Sequence, residues 1–535
     1  MTLPVPATPA QRLETAKAWL RARGAYVLEA TGRRQWRRDF RVPAAAVPAR
    51  RRSFDGGTAG RLTAAWSASR LHINRMLRGN LLVMRGRSRD LARNDPYVTK
   101  FLRMVETNVI GPQGIGLQVR TQWLNADGTS RPDDSANRIL EAGWASWNAR
   151  GSVEVTGMMD GPAFDRLYVR MLARDGEVLI RPIRDPKLPY GFQLQFLDPD
   201  WLDESFHQEA TDGTRVVMGV HIDPAGRRLG YWLRNRHPGD TAARGPAAGE
   251  RRYVPAADLW HDFVQTDPEQ VRGIPWLHAA MGRLYQLGEF DEAALLAARI
   301  GASKVGFYES PDGDPDPLAS GSAGEGLEAV PQQDLQAGEF AVLPPGYKFT
   351  SWDPNYPNDV YADFVKGALR GIASGLGVAY NTLGNDLEGV NFSSIRAGTL
   401  EERDAWRVVQ GFVTAGWKSW QYGEWLKAAL LCRAQPLAPL AASRFDKYNI
   451  PDWMPRSWDW VDPLKDVEAK AAELAQGLTS RRRILAEKGL DFDTVIAELA
   501  AEAQAAQAAG VTLGDAGKSN LPAAPVDNTA GTSAP

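Results

Sequence analysis

Asp386, Glu388, Asn391, Ser393, Ser394 and Arg396 crowd into one polar segment, YNTLGNDLEGVNFSSIRAG, at residues 380–398. Carboxylates beside hydroxyls, an amide and a guanidinium are the mixture acid–base catalysis uses. The same mixture suits a ligand cradle, or a loop that touches a partner without reacting. Elsewhere the chemistry is thinner. Gly517-Lys518-Ser519 ends like a phosphate-binding loop, but Thr512 stands where the motif needs its first glycine. That motif also needs a strand before it and a helix after it, and the terminal tail offers neither. Six histidines without an HExxH pattern or a His/Cys cluster argue against zinc, and there is no GxSxG elbow. Asp198 and Asp200 in FLDPDWLDE read as a turn with side-chain caps. Gly176-Glu177 reads as a hairpin turn leading into a strand, and His261 as a satisfied, semi-buried side chain. No catalytic residue, metal ligand or cofactor is assigned.

Elements must hold that polar segment in place, and the composition bounds them. The chain has 535 residues, 44% hydrophobic and 24% charged, as in an ordinary globular protein of several domains. Eighteen tryptophans imply large cores and interfaces. The net charge of −1 conceals a basic head: residues 1–95 carry 20 Lys/Arg against 6 Asp/Glu, leaving the rest acidic by about 15. Such a head can meet nucleic acid or acidic partners, or be only a solvated arm. Cys432 is the single cysteine; it excludes an intrachain disulfide, fits a reducing compartment and reads as a buried structural thiol. No run approaches the roughly 18 apolar residues a membrane span needs, and MTLPVPATPAQRLE lacks a signal peptide's apolar stretch. Cytosol-like conditions are expected, without a membrane partner.

Residues 1–60 read as a basic, loosely ordered arm. Helical periodicity covers Arg61 to Asn108, with NDPYVTKFLRMVETNVIG capped at its start and stopped at Gly111. Helices at Ser135–Asn148 and Asp160–Arg174 and strands in GEVLIRPI, GFQLQFLDPDWL, VVMGVHID and RLGYWLRN complete an α+β domain over 61–272. From Gly273, about thirty residues carry helical spacing, roughly 45 Å of helix. Lys304 to Pro357 is an excursion with strands KVGFYE and GEFAVLPPGYKF around a Pro/Gly/Asp loop. A second helix runs from about 358 to 380, the polar segment follows, and a third helix spans about Ser394 to Leu431. Gly398, Gly411, Gly416 and Gly423 each weaken that third helix by up to about 1 kcal/mol, so packing must hold it. Residues 467–508 read as a helical zone, with two helices joined at Gly489 in GLTSRRRILAEKGLDFDTVIAELAAEAQAA, and the tail beyond Gly510 is small and polar.

That order of elements resembles the phage portal proteins of the lambda type. The residues that carry the likeness are RNDPYVTKFLRMVETNVIGPQGIGLQ, DGEVLIRP, QLQFLDPDWLD, RGIPWLHAAMGRLYQLGEFDEAALLAARIGAS, LPPGYKFTSWDPNYP and YNTLGNDLEGVNFSSIRAG. They stand in order across roughly Arg85 to Ala505. The resemblance implies an α+β portal fold assembled as a ring of about twelve subunits, passing double-stranded DNA through a phage capsid vertex. Implied partners are the terminase large subunit, head-completion or connector proteins, and major capsid and scaffold proteins. The protein would be assembled in the host cytoplasm and end in the virion, with the ATPase supplied by the terminase.

By family position, 61–272 is the wing, 273–303 and 358–380 are stem helices, 304–357 is the clip, and 381–395 is the tunnel loop. Residues 396–431 form a long helix, 432–462 a return to the wing, 463–508 the crown region, and 509–535 a disordered tail. Expected at the DNA channel are Asn381, Thr382, Leu383, Gly384, Asn385, Asp386, Leu387, Glu388, Gly389, Val390 and Asn391. Lys366 and Arg370 either line the channel or pair with Asp363 and neighbouring glutamates. The docking tip of the clip falls at Asp312, Gly313, Asp314, Gly324 and Glu325. The alternatives are a nucleic-acid-processing enzyme with carboxylates on the polar loop, or another phage head structural protein.

Overall fold

A computed structural model describes residues 70–124, 130–235, 237–240, 250–302, 306–309, 348–351, 361–388, 392–458, 463–488, 490 and 492–509. Residues 71–535 group as one unit and 1–70 as another. The expected arm (1–60) lies outside the described residues, as do the expected tail (509–535) apart from Ala509 and the clip-tip residues Asp312, Gly313, Asp314, Gly324 and Glu325.

Helix α1 (Ile73–Asn94) is followed at once by α2 (Pro96–Val105), because Asp95 caps α2 through its carboxylate and Pro96 fits the first turn. Strand β1 (Gly116–Val119), α3 (Asp134–Trp147) and α4 (Gly161–Asp175) come next. Strands β2 (Glu177–Arg184) and β3 (Phe192–Leu197) then pair antiparallel. Five short strands form a second antiparallel sheet: β4 (Gln208–Glu209), β5 (Arg215–Val217), β6 (Val220–Ile222), β7 (Arg228–Arg234) and β8 (Arg251–Pro255). Strand β9 (Trp260–Phe263) closes the other edge of β2.

Strand β2 carries the apolar run Val178–Leu179–Ile180 because both its faces are covered. Val178 and Ile180 enter a large core with α2, α3 and α4, whereas Leu179 enters a smaller one with the five-stranded sheet. Ion pairs also run through this body, among them Lys418 with Asp165 at 2.8 Å, both almost fully buried.

Helix α5 (Met281–Ala302) has 22 residues, about 33 Å, shorter than the thirty expected. Pro275 opens a separate tight turn at Trp276–Ala279 before α5 begins. The excursion beyond it contributes β10 (Gly306–Glu309) paired with β11 (Lys348–Ser351). Helix α6 (Tyr361–Leu376) also stops early. Gly377 takes a left-handed φ of +69°, the Gly377 amide bonds back to Ser374 and the Val378 amide to Ala373, a glycine-terminated helix end.

A helical turn, α7 (Tyr380–Gly384), occupies the start of the segment expected as loop, and α8 (Phe392–Val413) begins before its expected end. Through a wide turn at Thr414–Lys418, α8 continues into α9 (Ser419–Leu431). The glycines of this helix are tolerated because Trp406, Val413, Trp417, Tyr422, Trp425 and Leu426 bury in the large core. Trp144, Trp147 and Trp425 meet there with ring centroids 5.1–6.3 Å apart. Strand β12 (Pro451–Met454) returns to pair with β1. The C-terminal zone holds α10 (Pro463–Ala475), then α11 (Arg481–Glu487) and α12 (Phe492–Ala509), the two helices expected on either side of Gly489.

Candidate nucleic-acid interface

Lys366 and Arg370 are four residues apart on α6, so they share one helix face. Against that face lies the segment after α7. Lys366 Nζ is 3.0 Å from Glu388 Oε2 and 3.7 Å from Asp386 Oδ2. The Tyr380 hydroxyl donates to Asp386 Oδ2 at 2.6 Å, and the Glu388 amide to Asp386 Oδ1 at 3.0 Å. The Arg370 guanidinium stands 5.3 Å from the centre of the Tyr380 ring. Within the chain, Lys366 pairs with the two loop carboxylates and Arg370 stands against the Tyr380 ring. The Tyr380 hydroxyl, the Glu388 amide and Lys366 hold the Asp386 carboxyl below its ordinary range. The Glu388 and Asp386 carboxylates raise Lys366 above its own.

On its other side the segment is tied to the body. Asn385 adopts a left-handed φ of 54° at the end of α7, a conformation asparagine tolerates, and its side chain accepts a hydrogen bond from Lys100 of α2. Glu402 of α8 accepts from Thr382 Oγ1, the Ala379 amide and Trp406 Nε1. A pocket of about 360 Å³ between these elements is lined by Lys100, Asn381, Thr382, Asn385 and Leu387.

Of the residues expected at a DNA channel, Thr382, Asn385, Leu387 and Glu388 are exposed, and Asn381, Gly384 and Asp386 partly so. Leu383 is a correction: at 1% exposure it belongs to the large core. A leucine flanked by polar residues looks like loop in sequence, yet on a helical turn it faces inward. Gly389, Val390 and Asn391 lie outside the described residues.

The constellation that sequence reasoning missed sits where the body meets α5. Glu177 does not sit in a hairpin turn; it opens β2 directly after α4, fully buried. Its carboxylate takes Arg85 Nη2 at 2.6 Å, Arg272 Nη2 at 2.5 Å, His261 Nε2 at 3.0 Å and the Gly273 amide at 3.0 Å. Burial alone would raise its pKa, but Arg272 and Arg85 hold it well below the ordinary carboxylate range. Burial depresses His261 to about 4 despite the Glu177 bond, so it is neutral at pH 7 and fully buried rather than semi-buried.

Gly176 and Gly273 make this possible. A Cβ on Gly273 would lie 2.0 Å from the Gly176 carbonyl oxygen, and one on Gly176 2.3 Å from the Ile274 carbonyl carbon. The available signal was a charge directly before the apolar run VLI in GEVLIRPI.

Asp198, Asp200 and His237 place potential ligand atoms within 4.8 Å of one another. The carboxylates are already engaged: Arg89 holds both at 2.7 Å and Arg85 holds Asp200 at 2.6 Å. Asp198 also caps the Asp200 amide, as the turn reading expected. Among the described residues no helix is long and apolar enough to cross a membrane. Cys432 is partly exposed, not buried.

A mixed helix-and-sheet body is joined to two long helices, with Lys366 and Arg370 beside a polar loop. Residues 59–410 match the family described as Phage portal protein, lambda family, and the chain belongs to that family, whose members are structural rather than enzymatic. The chain is 35% identical over 455 residues to the "Probable portal protein" of Halomonas phage phiHAP-1, covering 85% of this chain and 86% of that one. It is 22% identical over 479 residues to "Portal protein B" of Escherichia phage lambda, covering 84% and 88%. Among solved structures, a chain from the neck of an empty GTA particle is similar at 15% identity and a TM-score of 0.36, covering 75% of this chain and 93% of that chain.

Proposed function

We propose that this portal protein forms a ring, of about twelve copies, whose channel passes double-stranded DNA during genome packaging and ejection. The family match across 59–410 carries the reading. In support, α5 and α6 leave Tyr285, Leu295, Leu296 and Phe364 more than half exposed, apolar surface a neighbouring copy would cover. A ring joins two different faces of each subunit. In this reading α5 and α6 are the stem, 304–357 is the clip that docks the terminase and the head-completion proteins, and 385–391 is the channel loop. Capsid and scaffold proteins meet the body, and the ring resides in the virion after assembly in the host cytoplasm. In this reading the chain conducts DNA rather than reacting with it, and Asp386 and Glu388 serve as partners of Lys366 and Tyr380. Imaging and sizing of purified protein test the proposal. Rings with a central hole support it, and monomers that cut DNA with a metal ion overturn it.

A further inference from the structure

The loop acids occupy the Lys366 ammonium, the kind of group that pairs with a phosphate. Lys366, partly exposed on this face of α6, already holds two carboxylates, and both come from its own chain: Glu388 at 3.0 Å and Asp386 at 3.7 Å. Arg370 backs the same face through the Tyr380 ring, and Tyr380 in turn fixes Asp386. The two acids differ in grip. Asp386 is 19% exposed with both oxygens engaged, whereas Glu388 is 83% exposed and relies on Lys366.

We propose that Asp386 and Glu388 are internal stand-ins for a phosphodiester: they latch the loop onto α6 at Lys366, and the DNA backbone displaces them when it enters. The inference rests on the reading of α6 and this loop as channel-facing. Exposed ion pairs are weak enough to exchange, being worth about a few-fold in population. Duplex DNA brings one charge per roughly 1.7 Å of axis, so a passing backbone competes for the lysine continuously. Before DNA arrives, the latch neutralises Lys366 and keeps the loop against the helix. Once phosphate takes the lysine, the freed loop carries two negative charges toward the duplex, which opposes tight holding. The arrangement thus couples DNA entry to loop release without a strong binding site, as sliding requires. On the far side, the Lys100 bond to Asn385 keeps the loop's root attached to α2 while its acids exchange.

Amide hydrogen exchange of the 385–388 peptide, followed by mass spectrometry, tests this in assembled DNA-free rings. Adding short mixed-sequence duplex DNA should speed exchange about two- to fivefold beyond sodium chloride of matched ionic strength. Lys366→Met, or Asp386→Asn combined with Glu388→Gln, should exchange as fast without DNA and respond little to it. Unchanged or slower exchange on adding DNA to the unsubstituted ring overturns the proposal, as does Lys366→Met exchange equal to the unsubstituted rate. If no ring forms, the channel reading falls on its own. The Lys366→Met comparison on the free chain then decides the latch: faster exchange upholds it and equal exchange removes it.

Discussion

Glu177 is the residue on which the junction between the body and α5 turns. Four donors, from α1, β9, the Arg272 guanidinium and the Gly273 amide, converge on its carboxylate away from water. Removing one partner of a buried ion pair strands the others, so Glu177→Ala should cost about 3–5 kcal/mol, read as a lower denaturation midpoint with unchanged slope. His261 adds a pH dependence with a defined sign. Its folded pKa of about 4 lies below the unfolded 6.5, so between those values the unfolded chain takes up a proton the folded chain refuses. Stability from this group is complete above about pH 6.5 and falls as pH drops toward 4. His261→Asn should flatten that part of the stability–pH curve. An unchanged slope between pH 4 and 6.5 would show that another group is responsible.

At the scale of elements, the segment after α6 divides into an anchored part and a presented part. Leu383→Ala should destabilise the fold by about 2–5 kcal/mol, because its side chain fills the core. Leu387→Ala, at a residue 68% exposed, should change stability by under about 0.5 kcal/mol. Thermal melts of the two variants side by side check the division. A deletion meant to remove the channel loop while sparing the fold must therefore leave Leu383 and start after Gly384. Gly377 ends α6 at a left-handed φ. Gly377→Val should cost about 1–2 kcal/mol through backbone strain.

For the whole molecule, assembly and DNA passage separate from folding. Tyr285→Glu with Leu295→Glu places charge on exposed α5 positions, so the subunit should keep its melting temperature while losing rings in sizing and imaging. Rings from that variant would remove this face from the subunit contact. Trimming 312–326 from the clip should leave rings intact and weaken motor and completion-protein binding. Unchanged binding would place docking elsewhere.

Much of this architecture is legible without coordinates. Apolar periodicity, proline and glycine stops and cap residues locate α3, α4, β2 and the start of α2 within a residue or two, because those signals are local. The order of six sequence stretches was enough to reach the family. What local signals could not reveal is where side chains meet across the fold. Pro275 and Gly377 shorten α5 and α6 through backbone geometry that periodicity does not register. Leu383 turns inward only because α7 packs on the core, and Glu177 becomes a buried hub only because Arg85 and Arg272 arrive from 92 and 95 residues away. The polar segment first read as a candidate active site is a case of the same kind. Its residue types are evident in the chain, but only the folded structure sets its acids against Lys366, since an ion pair depends on distance in space rather than spacing in sequence.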